Sequence, residues 1–117
     1  MGRGSSKASR ASIKTQLKNF MDSHDGELPS YAVLPTPEAR NEYFTAINEL
    51  YTPTADEREA MSYAYIEDGE LHIPYGGFGY PVEGLSDSAI EGWKKSQARR
   101  LVNNDAIPDV KYWRRRK

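Results

Sequence analysis

IPYGGFGYP, residues Ile73 to Pro81, divides the chain into two unlike parts. Three glycines within four residues work against helix and strand alike, whereas Tyr75, Phe78 and Tyr80 carry large rings that favour burial. An ordered loop packed over a core satisfies both demands. Before it lies a helical, acidic half, and after it one more helix and a basic end.

Upstream of the loop, the local signals are mostly helical. Ile13, Leu17, Phe20 and Met21 fall on one helical stripe, with Lys14 and Lys18 off it, and the segment from Asp22 to Gly26 should end that helix. Leu28 to Pro35 holds two prolines and reads as an extended connector. Thr36 is a candidate cap, with Pro37 at the first helical position and Glu38 beside the positive end of the dipole. That second helix presents Ala39, Tyr43, Ala46, Ile47 and Leu50, widened by Phe44 and Tyr51, and Pro53 bounds it. Thr54 and Glu57 have the spacing of a capping box, which predicts a third helix carrying Ala60, Met61 and Ala64 inward. The short join predicts that the second and third helices pack on each other, antiparallel or at a steep angle. Tyr65 and Ile66, then Asp68-Gly69, then Leu71 and Ile73 read as a small hairpin turning at Asp-Gly.

Downstream, Ser86 or Ser88 can cap a fourth helix with Ala89, Ile90, Trp93, Ala98, Leu101 and Val102 on its apolar side. Gly92 interrupts it and allows a neighbour to come close; Asn103 and Asn104 can terminate it. The expected fold is therefore α+β and mostly helical: about four helices, one small β-hairpin and the aromatic glycine-rich loop. Residues 1–10 read as a disordered basic arm, 11–113 as a single globular domain, and 114–117 as a basic tail.

Several classes of function fall away on composition. Without cysteine there is no disulfide framework and no zinc finger, and two histidines are too few for a histidine-built metal site. No metal and no cofactor is expected. Gly76-Gly77-Phe78-Gly79 is followed by Pro81, not by a helix or a Gly-Lys-Ser/Thr ending, so it does not fit a phosphate-binding loop. No apolar run approaches the length that crosses a bilayer, and the first twenty residues lack the apolar centre of a secretory signal, so a soluble, cytoplasmic protein is expected.

The net charge of −1 hides a strong segregation. Residues 1–20 hold five bases and no acid; residues 21–92 hold fifteen acids against Arg40 and Arg58; residues 93–117 hold nine bases against Asp105 and Asp109. Lys94, Lys95, Arg99 and Arg100 are placed on the polar side of the last helix, and Tyr112 and Trp113 precede Arg114, Arg115 and Arg116. Bases release counterions from phosphates and the rings can stack on unpaired bases, so these nine residues are the candidate nucleic-acid or partner contacts. The acids Asp56, Glu57, Glu59, Glu67, Asp68 and Glu70 form a second candidate, an acidic face able to imitate nucleic acid before a basic partner.

In size, lack of cysteine and polarised charge the chain resembles small accessory proteins of phages and mobile elements, a likeness that covers no motif. Some of those inhibit nucleic-acid-targeting defence enzymes, CRISPR nucleases among them, which is what the resemblance implies for the acidic face. The leading expectation is a non-enzymatic binding protein whose basic ends engage nucleic acid or a nucleoprotein. The first alternative is that inhibitor; the second is a small nuclease or toxin built on His72, Glu70 and Tyr75, with no catalytic set legible in the sequence.

Overall fold

Ser12 opens the first helix: its hydroxyl accepts the amide of Thr15 at 3.1 Å, and α1 runs Ile13–Ser23. The computed structural model describes residues 12–29, 36–74, 76 and 79–103. The helix α1 closes where predicted, with the amide of Gly26 donating to the carbonyl of Met21 at 2.8 Å. Thr36 caps α2, Pro37–Leu50, accepting from the Ala39 amide at 3.1 Å, with Pro37 in the first turn. Thr54 and Glu57 complete a reciprocal capping box at the start of α3, Ala55–Met61. Ser86 caps α4, Asp87–Asn103, by accepting from the Ala89 amide at 3.1 Å.

Between α3 and α4 lies a three-stranded antiparallel sheet of order β1-β2-β3, with β1 at Tyr65–Glu67, β2 at Glu70–His72 and β3 at Tyr80–Pro81. Asp68 and Gly69, at φ of 55° and 76°, make the two-residue turn, and Glu67 faces Glu70 across it. Both turn positions need left-handed backbone, which glycine and short polar residues adopt at least cost. The third strand is a departure from the expected loop. Beyond its last glycine the segment is free to extend, and Tyr80 pairs with Leu71 while Pro81, which has no amide to donate, faces Glu70 on the sheet's outer strand.

A single core collects Leu17 of α1, Phe44, Ala46 and Ile47 of α2, Ala60 of α3, Leu71 and Ile73 at β2, and Ala89, Trp93, Ala98 and Leu101 of α4. Tyr80 stands edge-on to Phe44, centroids 5.6 Å apart, and lies 6.0 Å from Trp93, so the far end of the glycine loop is anchored in that core. Tyr75 and Phe78 lie outside the described residues.

The helix α4 is the common support. The helices α2 and α3 both pack against it, and α1 packs against α2. The expectation that α2 and α3 pack on each other is therefore corrected: a short connector sets how far apart two helices begin, not which neighbour buries their apolar sides. Gly92 is what lets α2 and α4 meet. A Cβ there would overlap the carbonyl oxygen of Phe44, so the backbones touch at this crossing. Polar contacts flank it, with Asn48 donating to the Ser88 hydroxyl at 3.0 Å and the Ser86 amide donating to Asn41 Oδ1 at 2.7 Å.

Candidate partner-binding surface

The four bases of α4 do not share a free face. Lys94 is ion-paired to Glu91 one turn earlier, at 3.2 Å. Lys95 lies along the end of α2, its ammonium donating to the carbonyls of Asn48 at 2.8 Å and Tyr51 at 3.0 Å. These are carbonyls that a helix terminus leaves without intrahelical partners, so Lys95 acts as a long-range C-terminal cap. Burial pushes its pKa down, with Glu91 acting the other way.

Arg99 is more deeply committed. Its side chain is only 18% exposed and bridges Glu27, beyond α1, to Glu57 of α3 at 3.6 Å, with Nη1 also donating to Asn103 Oδ1 at 3.2 Å. Its buried Nε has no hydrogen-bond partner among the described residues. Arg100 alone of the four is exposed. The expected solvent-facing basic side is corrected accordingly: with α2 on one flank of α4 and α3 on another, the flexible stems of Lys95 and Arg99 are folded into contacts between helices.

Glu57 is likewise corrected as a surface acid. It is 1% exposed, and its Oε1 accepts from the Tyr51 hydroxyl at 2.8 Å and the Thr54 amide at 3.0 Å. Burial first, and then the hydrogen bond and charge of Glu57, push the Tyr51 hydroxyl pKa up, opposed by Arg99. Tyr51, Glu57, Arg99 and Glu27 thus make one polar cluster joining α3 and α4 to the segments that follow α1 and α2. The capping-box spacing of Glu57 was readable in the sequence; no local signal pointed to Arg99.

The remaining acids are at the surface. Asp56 is exposed in the first turn of α3, and Glu59 is half-buried, accepting from the Tyr63 hydroxyl at 3.1 Å. Glu67, Asp68 and Glu70 surround the hairpin turn and are exposed. Beside them stand Tyr65 and Ile66, exposed at 50% and 55%. Tyr65 stacks on His72, centroids 5.1 Å apart, and His72 Nε2 lies 4.0 Å from Glu70 Oε1. A shallow depression of about 360 Å³ lies beside the start of β1, lined by Arg58, Met61, Ser62, Ala64, Glu91 and Lys94.

Tyr112, Trp113, Arg114, Arg115 and Arg116 lie outside the described residues, as does the arm at 1–10. Among the described residues no group of three or more acidic, histidine or cysteine side chains is arranged to hold a metal ion, and no helix is long and apolar enough to cross a membrane. No family model, no characterised protein and no solved structure matches this chain.

Proposed function

We propose that this is a binding protein with no reaction of its own, and that the acidic hairpin is its contact surface for a protein bearing a basic site, such as one that handles nucleic acid. One contrast supports the reading. Of the two charged regions, the bases of α4 are largely spent on internal contacts, while Glu67, Asp68 and Glu70 stay exposed next to two exposed apolar side chains. Acids rimming apolar area suit a docking patch, since the apolar part contributes affinity and the charge selects and steers the partner. Inhibition of a nucleic-acid-targeting defence enzyme is the biological form this binding would take, by occupying a channel meant for phosphates.

The test is recovery of partners from the native host with and without nuclease, using the natural chain beside Glu67→Lys/Glu70→Lys. A nuclease-resistant partner that the double change loses, and that binds the purified natural chain in stoichiometric ratio, is the expected result. Recovery that nuclease abolishes and charge reversal leaves alone would overturn it. That outcome belongs to a second reading, in which the bases near the chain's end engage nucleic acid; it is favoured by exposed Arg100 and the net charge of +7 over residues 93–117.

A further inference from the structure

Tyr65 and Ile66, the two exposed large apolar residues among those described, are neighbours on one strand, and among the described residues that strand is an edge of the sheet. The two-residue turn makes Glu67 and Glu70 the closing, hydrogen-bonded pair of the hairpin. Bonding alternates along an antiparallel pair, so Tyr65 and Glu67 direct their amides and carbonyls to β2 while Ile66 directs its own away from the sheet. Ile66 faces Leu71 across the pair and shares its core-side face; Leu71 is 0% exposed and Ile66 is 55% exposed. Among the described residues the core's cover stops at β2. On the outer face Tyr65 and Glu67 sit beside His72 and Glu70.

The hairpin itself carries acids and neither lysine nor arginine, while Arg58 and Lys94 line the depression beside the start of β1. From Glu59 to Trp93 the chain has seven acids and neither lysine nor arginine, and three of those acids are Glu67, Asp68 and Glu70.

We propose that the open edge of β1 receives an extended, basic segment of a partner protein as an added strand. The proposal rests on the hairpin being the contact surface and adds how the partner is held. The segment's residue opposite Ile66 exchanges both backbone hydrogen bonds with it and is apolar, because its side chain falls on the core-side face next to Ile66. The residues on either side of it point outward and are lysine or arginine. One meets the Glu67 carboxylate and the other the face of the Tyr65 ring, which attracts cations. A second copy of this chain is a poor occupant, since its hairpin brings the same three acids and no base. The strand is only three residues long, so backbone pairing alone is weak and the charge pattern selects the segment.

The probe is a fluorescein-labelled synthetic peptide, Lys-Val-Lys-Val-Lys, titrated with the full chain by anisotropy. A second peptide carries N-methyl groups on both valines, which keeps its charge and side chains and removes, whichever valine stands opposite Ile66, the amide that would donate to the Ile66 carbonyl. Saturable binding of the first, about fivefold weaker for the second as the hydrogen bond to the Ile66 carbonyl is lost, and slowed hydrogen exchange of the Ile66 amide on binding are expected. No saturable binding of the unmethylated peptide, or equal binding of the two, overturns strand addition. Glu67→Lys separates the two levels: if it weakens binding of both peptides alike while methylation changes nothing, the hairpin remains the contact surface and only the added strand is refuted. If it changes neither, the surface itself is refuted.

Discussion

The guanidinium of Arg99 lies 3.6 Å from the carboxylate of Glu57, a side chain that is 1% exposed and that also closes the capping box of α3. One residue thereby starts a helix locally and ties it to another helix 42 positions away in sequence. Removing one partner of such a contact leaves the other charge in poor solvent, which costs more than the contact itself contributes.

Arg99→Ala is accordingly expected to cost about 2 kcal/mol and Arg100→Ala less than about 0.5 kcal/mol, although the two are neighbours of the same type. Glu57→Ala should cost about 3 kcal/mol, since the cap is lost with the pair. Urea unfolding of the three variants checks the ranking. Equal losses for Arg99→Ala and Arg100→Ala would contradict the cluster.

Gly92→Ala tests the crossing of α2 and α4. In an open helix this change adds up to about 1 kcal/mol of stability. Here the added methyl meets the Phe44 carbonyl, and separating the helices should turn the gain into a loss of about 2 kcal/mol. The sign of the change in melting temperature decides it.

Alkaline pH should destabilise the protein partly through Tyr51. Its folded pKa is raised above the ordinary 10.0, so below pH 10 both states carry the proton and nothing changes with pH. Above it the unfolded state releases the proton first, and stability falls as pH rises toward the folded pKa. Lys95 acts oppositely, because its folded pKa lies below 10.5 and stability from it rises as pH approaches that value. Tyr51→Phe should therefore flatten the decline above pH 10 and remove one late-ionising group from the native absorbance titration at 295 nm. Loss of an ionisation near pH 10 instead of a late one would place the Tyr51 hydroxyl in water.

The hairpin turn offers a backbone test free of packing. A Cβ on Gly69 meets nothing within 4 Å, yet its φ is 76°. Gly69→Ala should cost about 1 to 2 kcal/mol from left-handed backbone alone, and Gly69→Asn less. Amide exchange in β1 and β2 is the direct measurement, and equal protection in all three proteins would contradict the turn geometry.

Much of the fold was legible in short stretches. The caps at Thr36 and Thr54, the stop after Ser23 and the turn at Asp68-Gly69 each depend on groups within about five residues, so composition and spacing suffice to place them. The exposed acids of the hairpin were legible for the same reason, since a tight turn keeps its side chains in water. What only the tertiary structure decided is which neighbour each helix chose. The carbonyls that hold Lys95 are 44 and 47 positions from it, and Arg99 meets Glu27 and Glu57 across three elements. Lysine and arginine have apolar stems long enough to lie along a packed face and reach a distant carbonyl or carboxylate, so their place in a helical period does not fix whether their charge ends in solvent. Strand β3 depended on the same kind of choice, as Tyr80 extends beside Leu71 once Phe44 and Trp93 have made a site for its ring.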